Sequence, residues 1–441
     1  MKRPNIIFYF SDQQRWDTVG CYGQALPVTP NLDALAAQGT RFQNAFTCQP
    51  VCGPARACLQ TGKYATEIGC YRNGIALPLD VDTLAGQFHA AGYETAYVGK
   101  WHLASDADRG IDHTVTAIPP EYRGGYRDYW MAADVLEFTS HGYDGYVYDG
   151  DGNRREFIGY RADCINNYAI HYLQNRTTDN PFFLFISQIE PHHQNDRGLF
   201  EGPDGSKEKF KDYKVPGDLE GTDGDWRENY PDYLGQCHSL DANVGRLVDT
   251  LKAQGLWENT ILFYTSDHGS HFCTRNREYK RSCHDASIHI PMIACGPGFE
   301  GGKVEQALVS LMDIPVTLLD CAGIAKPEGW QGASLRQLVA GKATDWNTEV
   351  FLQISESQVG RCIRTADWKY SVCADADGWK DSCADVYYEE YLYDLTADPH
   401  ERNNLVADPA LASVRADLAK RLTARMLQAG EAVPEILPVR G

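Results

Sequence analysis

Four apolar runs set the first limit on how this chain can fold: NIIFYFSD from Asn5, YETAYVGKWH from Tyr93, PFFLFISQIEPHH from Pro181 and NTILFYTSDHG from Asn259. Each is short, rich in β-branched and aromatic residues, and close to continuously apolar, so each reads as a strand covered on both faces. Capped helices stand between them. In TPNLDALAAQG, Thr29 takes the N-cap, Pro30 the first helical position and Gly39 the place just past the end; CGPARACLQTG repeats that grammar with Pro54 early and Gly62 late. The alternation predicts an α/β fold with a mostly parallel central sheet flanked by helices. Past a boundary in the Gly341–Trp346 stretch, VFLQISES, GRCIRTADWKYSV and EYLYDL read as strands. A helix follows with Leu411, Val414, Leu418, Leu422 and Met426 on one face. The expected organisation is a larger domain over residues 1–343 and a smaller antiparallel sheet plus helix over residues 344–441.

Ligands of open α/β sheets bind beyond the carboxyl ends of the strands. All four runs end in groups suited to chemistry: Asp12-Gln13, Lys100-Trp101-His102, His192-His193 and Asp267-His268. One such ending is an ordinary turn or cap; four in one sheet predict a site. Cys52 falls at or just before the start of the second helix, where free N–H groups and the dipole favour an anion. That position makes it a candidate nucleophile with a lowered pKa. The other cysteines read as small buried hydrophobes.

The balance of charge narrows the partners. A formal charge of −19 excludes nucleic acid and an anionic membrane surface as natural partners, so an anionic substrate needs a local basic pocket. No segment is apolar for long enough to cross a bilayer. The 14 cysteines include no CxxC pair and no short-spaced framework, and so read as reduced thiols. The opening MKRPNIIFYFSD lacks a small-residue cleavage site. The expected compartment is the cytoplasm, or the periplasm or exterior if a leader has been removed.

The stretch Cys52-Gly53-Pro54-Ala55-Arg56, with TGKY after it, resembles the signature of the type I sulfatases of the alkaline phosphatase superfamily. The resemblance extends along the chain through RPNIIFYFSDQQRWDTVGCYG, GKWHL, PHH, SDHG, KRSCHDASIHIPMI, VSLMDIPVTLLDCAGI and YLYDLTADPHERNNL. In that family the cysteine is oxidised to formylglycine, whose hydrate carries two hydroxyls, one to attack sulfur and one to expel the product. The resemblance therefore implies a sulfuric ester hydrolase acting on a small-molecule or oligosaccharide sulfate ester, matured by a formylglycine-generating enzyme. It implies one divalent cation held by Asp12, Gln13, Asp267, His268 and the group made from Cys52. Many relatives have Asp where this chain has Gln13 and Asn where it has His268; calcium is the first choice, with manganese or zinc open. It assigns Arg56 to steady the diol, Lys100 and Lys280 to bind the ester oxygens, and His192 to protonate the leaving alcohol, with His193 the alternative. His102 is assigned to take the proton of the second hydroxyl.

The alternative is a phosphonate monoester or phosphodiester hydrolase using the same formylglycine, since phosphonate hydrolases of the superfamily share the Asp-Gln pair and the Cys-Gly-Pro-Ala-Arg motif. A relative that binds carbohydrate without turnover would have lost nucleophile or metal positions, and none is lost here. Two long segments, 109–151 and 194–233, read as lids or binding loops, or else as surface decoration. His271, His284 and His289 read as structural, His284 being the one best placed to reach substrate. Arg361 and Arg364 are candidates for the mouth of the site, against the plainer expectation of exposed arginines without specific partners. The oligomeric state is not legible.

Overall fold

The computed structural model describes residues 3–440. Ten strands form the larger sheet: β1 (Asn5–Ser11), β2 (Thr40–Phe46), β3 (Glu94–Lys100), β4 (Tyr129–Ala133), β5 (Asp144–Asp149), β6 (Arg154–Ile158), β7 (Phe182–Ser187), β8 (Thr260–Ser266), β9 (Met292–Cys295) and β10 (Lys303–Ser310). Their order is β10-β2-β9-β8-β1-β7-β3-β4-β5-β6. The four runs singled out in the sequence are its middle, β8-β1-β7-β3, and all pair in parallel; Phe8 lies opposite both Phe185 and Phe263. Every residue of β1, β7 and β8 is buried, as near-continuous apolar strands require. The rim is mixed: β9 runs antiparallel to β2 and β8, and β5 and β6 add an antiparallel hairpin beyond β4.

Helices cover both faces. On one, Phe8, Phe185 and Phe263 pack with Leu59 and Leu318, which lie on the helices Cys52–Thr61 and Asp313–Ala322. On the other, Tyr9, Leu184 and Leu262 pack with Ile165 and Leu247, from the helices Arg161–Asn175 and Trp226–Ala253. Each such side chain contributes about 1.5–3 kcal/mol on burial. The expected caps hold with one difference. Helix Pro30–Gln38 ends at Gly39, but the Thr29 hydroxyl accepts from the Gly20 amide. The helix's free N–H groups are met instead by the Asp241 carboxylate, which accepts from Asn31 and Leu32 at 3.1 and 2.7 Å. Helix Cys52–Thr61 begins on Cys52 and closes on Gly62 at φ +63°, the left-handed cap that glycine tolerates.

Both long segments are folded into the body of the protein, and both contribute residues to the cavity described below. Residues 109–151 supply β4 and β5 to the sheet edge. Residues 194–233 fold around their own aromatic core, in which Phe200, Phe210, Leu219 and Trp226 pack on Tyr230 and Phe272. A lack of period in the sequence here marks irregular backbone that packs on itself.

The small sheet orders β11 (Glu349–Ile354), β12 (Gly360–Thr365), β13 (Trp368–Cys373), β14 (Val386–Asp394) and β15 (Glu435–Leu437), antiparallel except for the parallel β14–β15 edge. Helix Ala412–Gln428 buries Leu418, Leu422 and Met426 against Phe351, Ile363 and Tyr370. Arg361 and Arg364 do not reach the mouth of any site. Both are buried: Arg361 pairs with Glu431 at 2.8 Å, and Arg364 lies over the Phe46 ring and against Asp285. No helix among the described residues is long and apolar enough to cross a membrane.

The sheet fixes the site through one close approach. Gly99, at φ +104° on β3, faces Ser187 on β7, and a Cβ there would lie 1.9 Å from the Ser187 carbonyl oxygen. Gly99→Ala is therefore expected to cost more than about 2 kcal/mol in urea unfolding, from strain and overlap together. Gly23→Ala, at φ +109° with open space around it, should cost only the strain. Equal losses would mean that the approach of β3 to β7 is not a constraint.

Candidate active site

The parallel centre of the sheet brings its carboxyl ends together, and the side chains there converge. Asp12, Cys52, Asp267 and His268 are all buried, and one ligand atom from each lies within 4.8 Å of the others. Asp12 and Asp267 follow adjacent strands β1 and β8. Gln13, at φ +71°, turns its N–H onto Asp267 Oδ1 at 2.9 Å, and the His268 N–H reaches the same oxygen at 2.8 Å. Asp267 Oδ2 is buried with no hydrogen-bond partner. The Gln13 side chain lies at the edge, 3.4 Å from both Ser270 Oγ and His193 Nδ1.

Cations surround these anions. Arg56, one turn into the Cys52 helix, places NH2 3.0 Å from Asp12 Oδ2 and 3.8 Å from Asp267 Oδ2, and its NH1 donates to Ser187 Oγ and the Lys100 carbonyl. Lys100 Nζ lies 2.9 Å from Asp12 Oδ2 and 3.0 Å from Glu137 Oε1. Lys280 Nζ stands 2.8 Å from Cys52 Sγ and 3.1 Å from His192 Nε2. Its carbonyl accepts from His271 Nε2 and Asn276 Nδ2 at 3.0 Å each, so His271 fixes the irregular segment that carries the lysine.

The electrostatics follow. Burial and the neighbouring thiolate work against an ionised Asp12, yet Lys100, His192 and Arg56 hold it well below the usual carboxylate range. Burial opposes a Cys52 thiolate too, but Lys280, Lys100 and His268 pull the thiol far down. Asp267 goes the other way: burial and the Asp12 charge push it up to about 7. One carboxylate is paired and its neighbour is short of positive charge.

That shortage is the test of a cation site. The donor set, with an orphaned Asp267 oxygen, fits a divalent ion: two carboxylates, the group at residue 52 and an imidazole. His268 Nδ1 donates to the Gly269 carbonyl at 2.9 Å, which leaves the Nε2 lone pair facing the cluster, 3.2 Å from Cys52 Sγ.

Two histidines face the same centre from other strand ends. His192 Nδ1 donates to the His193 carbonyl, turning Nε2 inward; burial and then Lys280 lower its pKa. His102, at φ +62°, follows β3 in a loop organised by the Asp134 carboxylate, which accepts from the Leu103, Ala104 and Ser105 amides. Its Nδ1 is buried without a partner. Cys52, His102, His192 and Lys280 line one cavity of about 560 Å³. His284 and His289 are not part of it. His284 bonds Tyr393 and Ser282, and His289 stacks on Trp16 and bonds the Gln43 carbonyl.

Sequence reasoning missed Glu137, Asp134, Phe138 and Trp379. The first three lie in the unperiodic 109–151 stretch and Trp379 in the loop between β13 and β14 of the small sheet, with no motif to mark them.

Residues 4–324 match the model of the Sulfatase family, and residues 277–428 match that of the N-sulphoglucosamine sulphohydrolase C-terminal region. The chain is 31% identical to an ulvan-active sulfatase of Formosa agariphila, over 97% of this chain and 82% of that one. It is 28% identical to an N-acetylglucosamine-6-O-sulfatase of Bacteroides thetaiotaomicron, over 96% and 86%. A solved structure in complex with its substrate, D-glucosamine-2-N,6-O-disulfate, superposes with a TM-score of 0.78 at 26% identity, covering 97% of this chain and 98% of that one.

The two carboxylates should answer differently to removal. Because the Asp267 value is raised, the stability its neutral form contributes is complete below the ordinary carboxylate range and lost as pH rises through about 7. In metal-free protein at alkaline pH, Asp267→Asn should raise the thermal unfolding midpoint. Asp12→Asn should lower the midpoint, through a destabilisation of about 3–5 kcal/mol, since Lys100 and Arg56 lose a buried partner. If the cluster holds a divalent cation, both variants should lose whatever stabilisation an added divalent cation gives the wild type, read in the same assay with and without chelator.

Proposed function

The chain belongs to the sulfatase family, and from that premise we propose that it hydrolyses a sulfate ester of a carbohydrate through a formylglycine made from Cys52, with one calcium ion held beside it. The observation that carries this reading is the setting of Cys52. It is the first residue of a buried helix, with Lys280 at 2.8 Å, His268 at 3.2 Å and Asp12 at 3.4 Å. A thiolate there would leave a stable thiosulfate ester on attacking sulfur, whereas a hydrated aldehyde can turn over.

Asp12, Asp267, His268 and Gln13 are the proposed ligands, and the cation supplies charge stabilisation for the attacking oxygen. Lys100 and Lys280 face the non-bridging oxygens of the bound ester and balance their charge. One diol hydroxyl attacks sulfur, the sulfur–oxygen bond to the alcohol breaks, and His192 Nε2 protonates the departing oxygen. An anionic ester in the cavity opposes the effect of Lys280 on that imidazole, favouring its protonated form. His102 then takes the proton of the second hydroxyl, the aldehyde carbonyl re-forms and sulfate leaves; water restores the diol. Ester and water give alcohol and sulfate.

Cys52 is 1% exposed and its helix is buried throughout, so the maturation enzyme has to meet this segment before it folds. The proposed compartment is the cytoplasm, where fourteen thiols stay reduced.

The test is kinetic. Matured protein should cleave aryl sulfates with higher kcat/KM than the matching aryl phosphonates; the reverse order would favour the phosphonate reading. His192→Gln should lose about 10²–10⁴-fold in kcat on an alkyl sulfate, whose leaving group needs the proton, and much less on para-nitrophenyl sulfate. Equal losses on both esters would remove His192 from the acid role.

A further inference from the structure

Glu137 has a half that the chemistry above leaves unused. It sits on the short helix Leu136–Thr139 beyond β4 and is 6% exposed; Oε1 accepts from Lys100, whereas Oε2 is buried with no partner. The residue lines the active cavity. Burial opposes its charge, but Lys100, His192 and His102 hold the carboxyl down at about 2, so it is an anion and accepts only. A buried charged oxygen without a partner is costly, and a ligand that presents a donor removes that cost. Lys100 already stands against Oε1, so what Oε2 lacks is a hydrogen-bond donor, which a neutral O–H or N–H supplies.

Two aromatic rings flank the same space. Phe138 is 57% exposed and Trp379 47% exposed, and both line the cavity. Trp379 arrives from the small sheet on the loop between β13 and β14. That loop is pinned to the rest of the chain by Tyr71 Oη donating to the Lys380 carbonyl at 2.8 Å and by the Glu356 amide donating to the Gly378 carbonyl at 3.0 Å. Exposed aromatic faces beside a fixed acceptor are the chemistry that takes a sugar, apolar on its C–H face and rich in donors at its edge.

We infer that Glu137, Phe138 and Trp379 form the subsite for the ring that bears the sulfate, with Glu137 Oε2 accepting a hydrogen bond from a hydroxyl or N–H flanking the ester and the two aromatic rings lying against the sugar. This rests on the sulfatase reading and adds to it a residue that selects the substrate.

The experiment uses matured full-length protein, a panel of galactose and glucosamine monosulfates, the deoxy analogues of the best-cleaved sugar, and para-nitrophenyl sulfate, which has no flanking donor. Glu137→Gln turns an amide donor toward the cavity while keeping shape. It should lose at least about tenfold more kcat/KM on the sugar than on the aryl sulfate, and add no such loss on the analogue lacking the flanking donor. Trp379→Ala should raise KM for the sugar with kcat little changed, and Trp379→Phe should restore it. Equal losses on sugar, analogue and aryl ester in Glu137→Gln would mean that the residue only positions Lys100, and would overturn the inference. Failure of the wild type to release sulfate from any of these esters would overturn the sulfatase reading, and the inference with it.

Discussion

Everything at the centre of this protein depends on keeping two carboxylates and an acidic thiol together, buried at one point of the sheet. Asp12, Asp267 and Cys52 are each essentially without solvent contact. Uncompensated, such charges cost several kcal/mol apiece. Arg56, Lys100 and Lys280 supply the compensation, and the raised pKa of Asp267 marks the place where it stops short. A divalent cation would complete that balance, and in the proposed reaction the two lysines would meet the sulfate ester.

The fold can be read as the apparatus that holds this balance. Four parallel strands deliver their ends to one point, and the helix that follows β2 presents its N-terminus there. The close approach of Gly99 to Ser187 lets Ser187 Oγ donate to the Lys100 carbonyl and receive Arg56, linking two strands and the helix through one hydroxyl. The small sheet belongs to the same frame. Lys369, on β13, is buried between Asp285 and Glu401, and Arg281 pairs with Glu356, so the chain just after Lys280 is anchored to it at two points. Its loop then places Trp379 at the cavity.

Much of this was legible in the sequence because it is written in local rules. Continuous apolar runs gave the central strands; Pro54 and Gly62 bracketed the Cys52 helix; polar endings on four strands pointed to Asp12, Lys100, His192 and Asp267. What was not legible depends on contacts distant in sequence. Thr29 looked like a cap, but Asp241, more than two hundred residues away, does the capping. Arg361 and Arg364 looked exposed, because nothing nearby in the chain announces Glu431 or Asp285 as partners. Segment 194–233 looked like a loop because its aromatic residues meet across irregular backbone, with no period to reveal a core. Glu137 was invisible for the same reason: it sits on a short helix, and its partner Lys100 ends the strand β3, outside its local sequence.

The central claim is that residue 52 works as an aldehyde hydrate and not as a thiol. Mass spectrometry of the peptide spanning Cys52, on preparations made with and without a formylglycine-generating enzyme and assayed in parallel for sulfate release, tests it most directly. Turnover should rise in proportion to the fraction carrying the aldehyde or its hydrate at residue 52, with Cys58 remaining a thiol in both. Undiminished turnover by protein in which Cys52 is wholly unmodified would contradict the claim.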